Sequence, residues 1–263
     1  MEPLLLYLLL GAAAGLLAGL LGVGGGLIIV PVLAWILPSQ GIPSSSVMHT
    51  ALATSLATIL FTSLSSVRAH HQRGAVRWDL VALLAPGILL GALLGAFLAD
   101  LLPSSRLRQI FGLFELLVAI QIGLALIPPA RGGIPGRLGN TLAGGGIGTL
   151  SALVGVGGGT LTVPYLVWCS VTMRQAVATS AACGLPIALA GTLGFVVAGW
   201  SLTDEVPWTL GYLYLPALLG IAIGGIAFAP LGAALSHRLP AHHLKRLFAL
   251  LLAVLGIVML LGG

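Results

Sequence analysis

The residues best suited to chemistry in this chain carry no formal charge. Two glycine runs read Gly22-Val23-Gly24-Gly25-Gly26 and Gly155-Val156-Gly157-Gly158-Gly159, and a proline follows each, at Pro31 and Pro164. Glycine weakens a helix interior and is cheap where the chain must turn, so both runs are expected to break the apolar stretches that hold them. The arm that restarts after such a break offers unpaired N–H groups and the positive end of a helix dipole, and both favour an anion. Proline is at home in a first helical turn. That leaves two placements for the arms: beginning at the glycines, or beginning near the prolines with 27–30 (LIIV) and 160–163 (TLTV) unwound. Hydroxyls supply the other neutral donors. Thr54–Ser55 and Thr179–Ser180 recur in the matching motifs ALATS and AVATS, and Thr50, Thr54, Thr58, Thr62 and Ser66 form a stripe at i, i+4 spacing. They are candidate oxyanion donors or, equally, interhelical hydrogen-bonding groups.

Ionisable groups are few. Glu115 is the one carboxylate placed well inside an apolar run. Intramembrane acids are often proton or partner sites, so Glu115 is a candidate for proton coupling, with pairing to Gln121 or a loop arginine as the structural alternative. His49, at the head of the second apolar segment, is a candidate for protonation beside an anion. His70–His71 and His242–His243 lie in basic connections without a third ligand, so no metal site is expected. Cys169 and Cys183 sit in apolar surroundings with no paired framework. Motifs of the forms GxxxxGK[ST], HExxH and GxSxG do not occur, which argues against a P-loop nucleotide site, a metalloprotease and a serine hydrolase. No catalytic residue and no cofactor is expected.

The elements that must hold these groups are membrane helices. Charged residues make up 6% of the chain and apolar residues 58%, whereas a soluble domain carries about 25% charged residues. The apolar runs also reach the roughly 20 residues that a spanning helix needs. The 11 Lys and Arg sit almost wholly in short connections, the pattern of topology signals and not of a nucleic-acid surface. The opening MEPLLLYLLL lacks a basic leader and a small-residue cleavage site, and reads as part of the mature chain.

The chain is duplicated. Residues 15–33 read GLLAGLLGVGGGLIIVPVL and residues 148–166 read GTLSALVGVGGGTLTVPYL. Downstream, Gly87, Gly95, Pro103 and Phe111 match Gly224, Gly232, Pro240 and Phe248 at constant spacing. The expected halves are 1–128 and 138–263, joined by a Pro/Gly/Arg linker at 129–137. Each half holds four apolar segments, near 4–37, 49–67, 79–102 and 107–127, then 138–170, 175–199, 208–236 and 242–261. The first of each set has about 33 residues, roughly 50 Å as one helix against a hydrocarbon core of roughly 30 Å. A re-entrant hairpin of two half-length arms fits both that length and the central glycines. Charge supports it. If each glycine-broken stretch enters and leaves on one face, the halves are inverted, and only Arg106 and Arg108 fall outside while the other basic residues fall inside. Four true spans per half would give no bias. Other GxxxG spacings, such as Gly87/Gly91/Gly95 and Gly220/Gly224, are read as helix packing. The expected fold is therefore an all-α polytopic membrane protein of two homologous, inverted halves. Each half is a glycine-broken re-entrant hairpin plus three transmembrane helices.

The doubled pattern resembles the sulfite exporter family TauE/SafE, also called TSUP, the 4-toluene sulfonate uptake permease family. Its residues here are Gly15, Gly19 and Gly22–Gly26 with Val30-Pro31, and Gly148 and Gly155–Gly159 with Val163-Pro164; Ala152 stands where the first copy has Gly19. The resemblance covers nearly the whole chain. It implies a multi-pass cytoplasmic-membrane transporter that exports sulfite or an organosulfonate such as sulfoacetate. Its partners would be a small sulfur-containing anion and membrane lipid, without nucleic acid; oligomeric state is left open. Together with the residue reading it points to a secondary carrier working by alternating access. The substrate-binding set is Gly22, Gly24, Gly25, Gly26, Pro31, Thr54 and Ser55, with Gly155, Gly157, Gly158, Gly159, Pro164, Thr179 and Ser180. Glu115 and His49 are the candidates for proton coupling. A passive anion channel is the alternative, and a membrane-embedded enzyme a more distant one.

Overall fold

A computed structural model describes residues 2–21, 25–126, 129–130, 132–236 and 241–262. The described chain is almost wholly helical. The first apolar stretch forms α1 (Glu2–Leu21) and α2 (Gly26–Ile36), closed by a 3-10 turn at Leu37–Gln40. Then come α3 (Val47–Gln72), α4 (Trp78–Asp100) and α5 (Ser104–Gly123). The second half runs α6 (Arg137–Leu153), α7 (Gly159–Trp168), α8 (Met173–Ala198), the single turn α9 (Leu202–Glu205), α10 (Leu215–Ser236) and α11 (Ala241–Leu261). Between α9 and α10 two short antiparallel strands, β1 (Thr209–Leu210) and β2 (Leu213–Tyr214), pair Thr209 with Tyr214 and Leu210 with Leu213.

Both long stretches break at the glycines, but unevenly. The arms are 20 and 11 residues in the first half and 17 and 10 in the second. A 20-residue helix is about 30 Å long, so α1 is no half-length arm. The arms after the breaks begin at Gly26 and Gly159, so LIIV and TLTV are helical and Pro31 and Pro164 lie inside α2 and α7. The placement with those stretches unwound is corrected. Each proline removes a single N–H bond, one turn from a helix start, which a buried helix tolerates.

Small residues decide which helices touch. In α4 and α6, Gly87 packs on Thr141, Gly91 on Gly145, and a methyl carbon on Gly95 would lie 2.5 Å from the Thr149 carbonyl oxygen. Residue numbers rise together, so these helices run parallel. α1 and α10 do likewise, with Gly11 on Ile221 and Gly15 on Gly225. The other two close pairs run antiparallel. In α5 and α11, Gly112 meets Gly256, Gly123 meets Ala249, and the Arg108 guanidinium donates to the Gly262 carbonyl. In α3 and α8, Ser63 meets Gly184 and Leu56 meets Gly191.

Many large apolar side chains face outward. Leu5, Leu9, Leu90, Leu94, Leu219, Ile223, Leu250 and Val254 are exposed, while glycines stand at the closest approaches between helices. Water would forbid so broad an apolar exterior; lipid accepts it and leaves close packing to small residues. All five tryptophans, Trp35, Trp78, Trp168, Trp200 and Trp208, are exposed at or near helix ends, where interfacial anchors sit. Among the described residues, five helices are long and apolar enough to cross a membrane.

Candidate functional site

The second break is a tight reversal. Gly155 has φ +61°, a left-handed conformation that favours glycine. The Val156 N–H folds back to the Ser151 carbonyl at 3.0 Å. Gly157 lies beside the Ile59 side chain. Gly158 caps α7 without any side-chain hydrogen bond, and Gly159 is its first residue. In the first half Gly25 caps α2 in the same way. Both arms therefore begin without a capping side chain for their first N–H groups among the described residues, the arrangement that attracts anions. Gly22 and Gly24 lie outside the described residues.

The two breaks meet. A methyl carbon on Gly26 would sit 2.6 Å from the Gly155 carbonyl oxygen, 3.1 Å from Val156 Cα and 3.2 Å from Ser55 Oγ. Ser55 Oγ donates to that same Gly155 carbonyl at 2.7 Å. One member of the first Thr-Ser pair thus ties the opposite break to α3. In the second half, a methyl carbon on Gly158 would lie 2.7 Å from the Ser180 carbonyl oxygen, while Ser180 Oγ donates within α8 to Val177 at 2.8 Å. The threonines of the pairs act alike. Thr54 Oγ1 accepts the Tyr214 N–H at 3.1 Å, and Thr179 Oγ1 accepts the Arg77 N–H at 3.1 Å. Each holds the chain entering the third long helix of the opposite half.

Two hydroxyls of the stripe on α3 are satisfied within their own helix, while that of buried Thr50 has no partner among the described residues. Thr58 Oγ1 donates to the Ser55 carbonyl at 2.7 Å, and Thr62 Oγ1 reaches the carbonyls of Thr58 and Ile59 at 3.3 Å. Thr58, Thr62, Ala18, Gly25, Ile29 and Gly225 line a small cavity between α1, α2, α3 and α10.

The two ionisable candidates lie elsewhere. Glu115 is fully buried in α5, which packs on α11, and neither carboxyl oxygen has a partner among the described residues, so the pairing with Gln121 is corrected. His49 sits nearly two turns before Ser55 on α3. Its Nε2 lies 3.1 Å from the carbonyls of both Ala99 and Leu102, so that nitrogen carries the proton, and its ring stacks on Tyr212 at 4.8 Å. The Tyr212 hydroxyl donates to Asp100 at 2.7 Å, and burial with that carboxylate holds its phenol above the usual tyrosine range. Trp78 Nε1 donates to His71 Nδ1 at 3.1 Å. Among the described residues no three His, Cys, Asp or Glu come together to share a metal ion.

Residue-by-residue reading of the sequence passed over three hydroxyls beside the second break. Ser151, Thr160 and Thr162 are buried and their hydroxyls have no partner among the described residues. The signal was present in the repeat, since Ala18, Leu27 and Ile29 stand at the matching positions of the first copy.

A multi-pass bundle with two broken helices meeting inside it has the build of a membrane transporter. Residues 7–259 match the family described as Sulfite exporter TauE/SafE, and the chain belongs to that family. It is 38% identical to a probable membrane transporter protein of Haemophilus influenzae, over 98% of both chains. It is 27% identical to the probable membrane transporter protein MJ0441 of Methanocaldococcus jannaschii, over 97% of this chain and 95% of that one. A further relative, probable membrane transporter protein YunE of Bacillus subtilis, is 26% identical over 98% and 97%. No solved structure matches.

Proposed function

We propose that the chain is a secondary carrier that exports a small sulfur oxyanion, sulfite or an organosulfonate such as sulfoacetate, across the cytoplasmic membrane by alternating access. The observation that carries this reading is the meeting of the breaks. Gly26 of one half lies against Gly155 and Val156 of the other, with Ser55 bonded to the Gly155 carbonyl. The start of α2 thereby meets the turn between α6 and α7 in a buried region where the described residues place no basic side chain, a setting in which backbone dipoles meet the anion's charge.

Inverted halves supply the motion. The parallel pairs α1/α10 and α4/α6 fit either topology. The antiparallel pairs α5/α11 and α3/α8 support only the inverted one, because halves of like orientation would make both pairs parallel. The Lys/Arg distribution favours the same choice and puts both termini outside. Rocking of one half against the other would then open the breaks to each face in turn. A membrane negative inside drives anion exit by about 2.3 kcal/mol per charge per 100 mV, so export needs no strong ion-coupling site.

Flux of labelled sulfite into proteoliposomes tests the reading. A carrier saturates and accelerates when unlabelled sulfite waits on the far side. Flux that is linear in concentration and indifferent to counter-substrate would make the protein a channel.

A further inference from the structure

Aligned on their GVGGG runs, the two halves differ where it matters to an anion. Two residues that line the cavity beside the first break, Ala18 and Ile29, stand at the positions of Ser151 and Thr162 in the second copy. Ser151 and Thr162 are each 0% exposed and neither hydroxyl has a hydrogen-bond partner among the described residues. An unpaired buried hydroxyl destabilises the fold, and the second hairpin carries one on each of its arms, Ser151 in α6 and Thr162 in α7. Thr162 Oγ1 lies 3.2 Å from where a methyl carbon on Gly158 would be, at the cap of α7. Thr160 is also unpartnered but sits two residues away, on another face of the helix. The first cavity has no such surplus. Thr58 donates to the Ser55 carbonyl, and Thr62 to carbonyls within α3.

We propose that the transported oxyanion binds at the second break and not at the first, with Ser151 and Thr162 donating their hydroxyl protons and α7 presenting its first N–H groups at Gly159 and Thr160. This rests on the carrier reading above and assigns that carrier's binding to one half. The helix end decides the sign of the ligand's charge. Hydroxyl oxygens alone would serve a cation as well, but the positive end of a helix dipole repels one. Neutral donors also leave the empty site cheap enough to cross the membrane core, where a lysine or arginine would be expensive. The first break keeps the same backbone shape with an apolar lining, so it serves as the moving partner and not as the binding arm.

Titration of purified protein with sulfite, thiosulfate, sulfate and sulfoacetate by calorimetry provides the test, on wild type, Ser151→Ala, Thr162→Val and the first-half control Ile29→Val. The expected result is at least a tenfold weaker affinity in Ser151→Ala and in Thr162→Val, with the control unchanged. The melting temperature of the ligand-free variants should hold or rise, because each loses an unsatisfied hydroxyl. Wild-type affinity in both variants would overturn the assignment while leaving the carrier intact. A wild type that binds none of the four anions would overturn the carrier reading and the assignment together. The two variants are read separately, so a folding failure in one leaves the other decisive.

Discussion

Single side chains here divide into those that hold the bundle and those left without partners. Thr54 belongs to the first kind. Its hydroxyl accepts the buried Tyr214 N–H, so Thr54→Val strands that donor and should cost about 1–3 kcal/mol. Thr179→Val should cost less, since the Arg77 N–H it accepts is only partly buried and water can replace it. Thermal unfolding in detergent compares them; equal losses would mean the burial difference is immaterial. Glu115 belongs to the second kind. A fully buried carboxyl with neither oxygen partnered is a liability to the fold, and its counterpart in the repeat is Leu252. Glu115→Leu should therefore raise stability by about 1–3 kcal/mol, read as a higher melting temperature. A fall would reveal a partner that the fold depends on. Sequence pointed to both residues, and it left Thr54 as either an oxyanion donor or a hydrogen-bonding group between helices. Only the path of the chain from β2 into α10 brings the Tyr214 N–H to that hydroxyl.

Helices in this molecule are placed by the residues they lack. α4 and α6 approach so closely that a methyl group on Gly91 would run into the Gly145 carbonyl, whereas nothing lies within 4 Å of one on Gly146. Gly91→Leu should separate the pair and lower the melting temperature steeply. Gly146→Leu, facing outward on the same α6, should be neutral or gain up to about 1 kcal/mol from better helix propensity. If the two variants melt together, glycine packing does not hold α4 to α6. The positions of these helices were legible from hydropathy, and each of the eight expected apolar segments holds helix, although 208–236 opens with the β1–β2 hairpin and turns helical only at Leu215. The uneven division of the broken stretches was not legible. Helix length there depends on where α2 and α7 find packing partners, and sequence marks only the glycines.

Across the whole molecule the direction of each helix becomes a statement about the membrane. Inverted halves put Ser44 outside and Gln72 and Gly133 inside, on the same side of the membrane as most of the Lys and Arg. Halves of like orientation reverse all three relative to the acidic connection at Asp204. Single cysteines at Ser44, Gln72, Gly133 and Asp204, labelled in intact cells with an impermeant maleimide, distinguish the two. Labelling at Ser44 and Asp204 alone is expected, since Cys169 and Cys183 are buried. Labelling at Gln72 and Gly133 with Ser44 protected would sink the inverted topology.

Sequence by itself determined what depends on composition and spacing. Too few charges to coat a surface in water, apolar runs of spanning length and a repeated GVGGG made this a duplicated membrane protein with two broken helices. Those properties are local, so they can be read along the chain. The tertiary structure decided which groups meet. It set Gly26 against Gly155, turned Thr54 and Thr179 into holders of backbone N–H groups, and left Ser151 and Thr162 without partners beside the second break. Satisfaction of a polar group in a medium without water is a property of its neighbours in space, and no spacing along one helix specifies those.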